Sequence, residues 1–264
     1  KMANAAVNEC DVLFLVGARV GDRAVKTPLA LEKTTKIIHI DIDPAEIGKN
    51  IGADLPLVGD AKLVLQQMTE LAKPMKHDEW IAHIKTLGGE RKYVEPAKGT
   101  VNPRVFIDRL AKKMPANVTV VADVGQNQIW TCTEYKFRKE GRLLTSGGMG
   151  TMGYSVPAAI GAKMADNSRA TVAICGDGAF QMSFMELATA VQFGVDIKVV
   201  VMTNNRLGMV RELQTNGYHD RQTAVFLDGS PDFIKLAEAY GIPAMRVYDD
   251  DTMEKGVEML AEHK

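Results

Sequence analysis

No apolar run in this 264-residue sequence approaches the ~20 residues that a membrane-spanning helix requires. Charge of one sign is not in excess either. With 32 Lys and Arg against 33 Asp and Glu, the formal net charge is −1, which gives no footing for nucleic acid or an anionic membrane. Cysteine is scarce: Cys10, Cys132 and Cys175 are odd in number and lack metal-ligand spacing. Cys10 and Cys175 border apolar runs, so reduced, buried thiols and a cytoplasmic setting are expected. The GxGxxG fingerprint is also missing. The first strand-like run ends in Gly17-Ala18-Arg19, with Gly21-Asp22-Arg23 just beyond, so a nicotinamide nucleotide has little support. Lys1 opens inside a polar-to-helical stretch without a signal peptide, as though the chain were cut from a longer one.

What is present is ordinary for a globular protein of one to two domains, at 46% hydrophobic and 25% charged residues. Residues 11–16 (DVLFLV) read as a buried parallel strand. Residues 36–42 (KIIHIDI) read as a second, ending in Asp41 and Asp43, with Pro44 opening a short helix capped by Asp43. Gly59-Asp60 starts another helix, residues 61–73. Residues 73–102 read as a linker holding one short helix, and His77 and His83 on it as surface residues. Asn102 caps and Pro103 opens the first helix of a second domain. The strand VTVVA, residues 118–122, then delivers Asp123-Val124-Gly125-Gln126-Asn127. A glycine-dense stretch, residues 143–154, leads into a helix near residues 156–164. The expected fold class is α/β with doubly wound parallel sheets. Its boundaries are residues 1–75 for the end of a Rossmann-like domain, 76–102 for a linker and 103–264 for the second domain.

The most informative stretch is residues 171–209. An apolar run, Thr171 to Cys175, breaks at Gly176-Asp177-Gly178. A helical pattern follows, with apolar faces drawn from Met182, Phe184, Met185, Leu187, Ala188 and Val191, and ends at Gly194. A second apolar run, Ile197 to Met202, breaks at Asn204-Asn205. One strand–helix–strand crossover places the two breaks side by side at the strands' carboxyl ends, where α/β sheets bind ligands. Asp177 brings a carboxylate oxygen and Asn204 a neutral amide oxygen. Hard donors of this kind suit Mg²⁺, which keeps coordination positions for substrate phosphates. Gly176 and Gly178 admit a close approach of backbone and diphosphate. Residues 216–229 read as a mobile loop, residues 244–247 as a further strand, and a last helix runs from residues 249–251 to Lys264.

GDGAFQMSFMELATAVQFG, followed by NN and then GM, resembles the signature of thiamine-diphosphate enzymes, and in particular the catalytic subunit of acetolactate (acetohydroxyacid) synthase. SGGMGTMGYSVPAAIGA, DVGQNQIW, IIHIDIDPAEIGKN and PDFIKLAEAYGI extend the resemblance over nearly the whole chain. It implies a transferase of branched-chain amino acid synthesis that condenses two 2-oxo acids, pyruvate with pyruvate or 2-oxobutyrate, with loss of CO₂. A sister carboligase, a pyruvate oxidase, or a non-catalytic nucleotide- or flavin-binding module is the alternative.

By the same resemblance, Gly125, Gln126 and Asn127 bring donors to the cofactor's diphosphate. Gly150 offers a backbone carbonyl to its aminopyrimidine, and Met152 is the apolar wedge that bends it. Gly176, Asp177, Gly178, Ala179 and Asn204 surround metal and diphosphate. Arg206 adds a backbone carbonyl to Mg²⁺, while Leu207, Gly208 and Met209 line the pocket. FAD is implied at Arg19, Arg23, Asp41, Ile42 and Asp60, although Gly21 stands where the family usually has an acid. Leu213 replaces the tryptophan of the family pattern GMVxxWQ, which implies weaker discrimination between pyruvate and 2-oxobutyrate as acceptor. The activating glutamate of this superfamily lies on a domain outside this chain, so the chain alone is expected to be inactive. A homodimer or homotetramer of the full subunit, a small regulatory subunit and a final strand beyond residue 264 are also implied.

Overall fold

The computed structural model describes residues 2–21, 28–88 and 93–262. The chain divides into two compact units, Lys1–Lys92 and Tyr93–Lys264.

In the first unit the order is α1 (Met2–Glu9), β1 (Val12–Val16), α2 (Pro28–Glu32), β2 (Lys36–Asp41), β3 (Leu55–Val58), α3 (Ala61–Leu71) and α4 (Asp78–Thr86). The three strands pair in parallel in the order β1-β2-β3. One face packs Leu13 and Leu15 with Ile37, Leu31 and Ile51. The expectation of a fully buried first strand is corrected: Val12 and Phe14 are each 44% exposed, because β1 lies at the sheet's edge. Pro44 opens a run of turns rather than a helix, with the Asp43 carboxylate accepting from the Ala45 N–H at 2.9 Å. Such an Asx turn competes with helix formation. β3 went unread because its four residues are too few to show a period. Asp60 caps α3, accepting from the Leu63 N–H at 3.1 Å. α4, expected inside a linker, packs on α1, with His83 Nε2 2.6 Å from Glu9 Oε2.

In the second unit the order is α5 (Pro103–Lys113), β4 (Thr119–Ala122), α6 (Gln126–Glu134), β5 (Arg142–Thr145), α7 (Ser155–Ala165), β6 (Thr171–Gly176), α8 (Asp177–Gln181), a 3₁₀ turn (Phe184–Glu186), α9 (Leu187–Gln192), β7 (Lys198–Met202), α10 (Gly208–Gly217), α11 (Phe233–Ala239) and α12 (Asp250–Ala261). The four strands are parallel, in the order β5-β4-β6-β7. Side chains alternate between two buried faces. Val120, Val172 and Ile174 meet Phe106, Leu110 and Val257 on one side, while Cys175 meets Val156, Phe180 and Leu187 on the other. Helices on both faces make the sheet doubly wound.

Three expectations change here. The helix after Gly178 is broken into α8, a 3₁₀ turn and α9, and it buries Ala179, Phe180, Leu187 and Ala190. Met182, Met185 and Val191 are instead more than half exposed, since the break rotates the second half of the pattern. Residues 244–247 form no strand. The end of the expected mobile loop is pinned: an antiparallel bridge joins Phe226 to Arg206, with the Leu207 N–H donating to the Val225 carbonyl and the Leu227 N–H to the Asn205 carbonyl, both at 2.9 Å.

Cys175 is fully buried, and that burial drives its thiol well above the usual range. Cys132 is exposed. Iodoacetamide is therefore expected to alkylate Cys132 in the native protein and Cys175 only after denaturation, as read by peptide mass mapping.

Candidate functional site

The strand order contains a switch point. From β4 the chain passes to β5 on one side, then crosses to β6 on the other. The loops leaving β4 and β6 consequently diverge and open a crevice at the carboxyl ends of these strands. Every element of the candidate site meets there.

Asp177, the first residue beyond β6, is 1% exposed. Its Oδ1 accepts from the Gly178 N–H at 2.8 Å, and its Oδ2 from the Asn204 and Asn205 N–H groups at 3.0 and 2.6 Å. The two loop tips singled out in the sequence are thus joined directly, because β6 and β7 are neighbours whose register pairs Gly176 with Met202. Asn204 Oδ1 accepts from the Arg206 N–H at 2.9 Å. Arg206 and Phe226 form a bridge flanked by hydrogen bonds rather than made of them, so the Arg206 carbonyl points away from residues 225–227. Asn205 adopts φ +53°, a left-handed conformation that asparagine tolerates better than most residues.

Three apolar side chains converge over Gly178. A Cβ placed there would stand 2.9 Å from Leu207 Cδ2, 3.1 Å from Leu227 Cδ1 and 3.5 Å from Met152 Cε. Met152, on the glycine-dense loop, thereby lies against the Gly-Asp-Gly turn. Gly150, at φ +69°, is exposed on the same loop.

At the β4 end, Gln126 Nε2 donates to Glu212 Oε2 on α10 at 2.8 Å, while its Oε1 lies against Gly208. Asn127 is buried, and its Nδ2 donates to the Asp123 and Ile174 carbonyls at 2.9 and 3.1 Å. Both amide protons are committed to the strand ends, which leaves Asn127 as a tie between β4 and β6 and no side-chain donor for a phosphate. A cleft of ≈ 1580 Å³ is lined by Gly125, Gln126, Met152, the Gly176–Ala179 turn and residues 204–209. Leu213 lies half exposed on α10.

Sequence reasoning missed Asp123, Glu212 and Leu227. Asp123 occupies the same place after β4 that Asp177 occupies after β6, and that parallel was the available signal. Glu212 and Leu227 depend on contacts from distant loops. In the first unit, Arg19, Asp41 and Asp60 follow β1, end β2 and follow β3, so they share one edge of the sheet, with Ile42 71% exposed beside them. Arg23 lies outside the described residues.

The second unit matches the family model "Thiamine pyrophosphate enzyme, C-terminal TPP binding domain" over residues 123–264, and the first matches "Thiamine pyrophosphate enzyme, central domain" over residues 1–68. Among relatives, a probable acetolactate synthase large subunit of Methanocaldococcus jannaschii is 40% identical over 266 residues, covering 97% of this chain and 45% of that protein. An acetolactate synthase large subunit of Lactococcus lactis is 36% identical over 98% of the chain and 46% of its own length. The acetolactate synthase isozyme 3 large subunit of Escherichia coli is 36% identical over 96% and 45%. The chain spans about half the length of the curated relatives it matches. With a matching domain model over more than half of its residues and an α/β crevice of the corresponding parallel-sheet kind, the chain belongs to the thiamine pyrophosphate enzyme family.

Proposed function

We propose that this chain is the cofactor-gripping half of an acetolactate synthase large subunit, and that it holds thiamine diphosphate through Mg²⁺ in the crevice beyond β4, β6 and β7. The observation that carries the reading is the direct link between Asp177 and the Asn204-Asn205 turn. The donor set fits a small hard cation. Asp177 Oδ1 and Asn204 Oδ1 each accept a single N–H, so each keeps a lone pair, and the Arg206 carbonyl is the third oxygen.

When bound, thiamine diphosphate supplies a nucleophilic thiazolium carbon for addition to a 2-oxo acid. The protein's share is position and charge. Asp177, Asn204 and Arg206 would hold the ion, Gly178 and Ala179 would face the diphosphate, and Met152 would press the two cofactor rings into a bend. Leu207 and Leu227 would shield that side from water, and Leu213 would border the acceptor 2-oxo acid. FAD in the first unit is proposed at Arg19 and Asp41; Asp60 is engaged in capping α3. A homodimer or homotetramer of the full subunit, with a small regulatory subunit, is proposed; the relatives' name, large subunit, supports only a second kind of subunit.

Titration with thiamine diphosphate, followed by the emission of Trp130 at the cleft, tests the reading. Saturable quenching that requires Mg²⁺ is expected. Binding indifferent to Mg²⁺, or none, would overturn it.

A further inference from the structure

Asp123 is a fully buried carboxylate just beyond β4, next to the cleft-lining Val124, that no step of the proposed chemistry uses. Burying an ionised carboxylate is costly unless donors compensate it. Here the compensation comes from three backbone N–H groups, one on the next residue and two on a distant segment. Oδ1 accepts from Val124 at 2.8 Å and Gly153 at 3.0 Å, and Oδ2 accepts from Ser155 at 2.8 Å. The backbone of the same residue is equally engaged. Its N–H donates to the Ile174 carbonyl at 2.9 Å, and its carbonyl accepts from Asn127.

The placement has a local cause. α7 begins at Ser155, its N-cap residue Tyr154 makes no side-chain cap, and the first N–H groups of a helix lack partners within it. Asp123 caps that helix from another element, with its negative charge at the positive end of the helix dipole. Gly153, immediately before, takes φ +80°, and a Cβ there would stand 3.0 Å from Met182 Cβ. The chain therefore reverses sharply at Gly153 between an anchored helix start and Met152, whose Cε approaches Gly178.

We propose that Asp123 is a positioning residue that sets how far Met152, and with it the Gly150 carbonyl, projects into the crevice. This deepens, and rests on, the reading of the crevice as the thiamine diphosphate site. Asp123 touches no reacting atom in this account. It acts through the Gly153 and Ser155 N–H groups.

The test compares the 264-residue protein with Asp123→Asn, which keeps the shape, removes the charge and turns one acceptor into a donor facing an N–H. Three quantities are read: amide hydrogen exchange, the ¹³C-methyl resonance of Met152 (assigned with Met152→Leu), and the Mg²⁺-dependent affinity for thiamine diphosphate. In Asp123→Asn the Gly153 and Ser155 amides are expected to exchange at least ~10-fold faster while Val172 and Ile174 keep their rates, the Met152 methyl to shift, and affinity to fall about 10-fold, on the scale of lost supporting partners. Unchanged amides and methyl, or exchange that rises in proportion throughout the second unit, would overturn the proposal and reduce Asp123 to general stability. If the unsubstituted protein does not bind the cofactor, the site reading fails, and the amide and methyl measurements still decide the role of Asp123. Should Asp123→Asn not fold, Asp123→Glu keeps the charge, and the same local changes are required of it.

Discussion

Asp177→Ala is expected to lose Mg²⁺-dependent binding of thiamine diphosphate by more than ~100-fold, beyond the ~10–100-fold typical of losing an outer-shell partner. Two effects add. The substitution removes the only negative charge in the proposed donor set. It also leaves the N–H groups of Gly178, Asn204 and Asn205 without their acceptor. Those donors are the means by which the loop after β7 is held against the turn after β6, so the remaining oxygens of Asn204 and Arg206 lose their placement as well. Stability is expected to fall less severely, by about 1–3 kcal/mol, because Asn204 and Asn205 are exposed and water can replace the lost acceptor. A titration at saturating Mg²⁺ beside a thermal melt separates the two effects. Asp177→Asn gives the sharper comparison, since it keeps the volume and changes the charge. Retained metal-dependent binding in that variant would remove Asp177 from the metal site.

Ile174→Ala is expected to lower stability by roughly 2–5 kcal/mol, the usual cost of a cavity at a fully buried aliphatic position. For a unit of this size that corresponds to a melting-temperature drop of about 4–20 °C. Ile174 sits on β6, an interior strand between β4 and β7, and packs among side chains from α5, α6 and α12. Partial collapse around the cavity would also disturb its carbonyl, which accepts from both the Asp123 N–H and Asn127 Nδ2. Cofactor affinity is therefore expected to weaken together with stability, although Ile174 does not line the cleft. Ile174→Val, costing ~0.5–1.5 kcal/mol, is the control for a change of one methylene. Calorimetry of both variants checks the ordering, and equal melting temperatures for Ile174→Ala and the unsubstituted protein would show the core to be loose there.

Much of the architecture was legible because its signals are local. Apolar runs bounded by Gly-Asp-Gly and Asn-Asn mark β6 and β7, and Asn102-Pro103 marks the start of α5 through capping chemistry that acts within a few residues. Misreadings arose where period and environment part company. The Met182–Val191 pattern looks like one amphipathic helix, yet a 3₁₀ turn in its middle changes which residues face the core. The Val12–Val16 run looks buried, yet burial depends on what surrounds a strand, and among the described residues β1 has one neighbouring strand.

The site divides along the same line. Residue types and spacing alone determined that an acid and an amide would end two adjacent parallel strands, because a crossover of this length leaves little other choice. Only the tertiary structure decided what each polar group does there. Gln126 turns to Glu212, Asn127 spends both amide protons tying β4 to β6, and Asp123 reaches some thirty residues along the chain to cap α7. A hydrogen bond between residues far apart in sequence depends on where the whole sheet brings them, and no local pattern of apolar and polar positions carries that information.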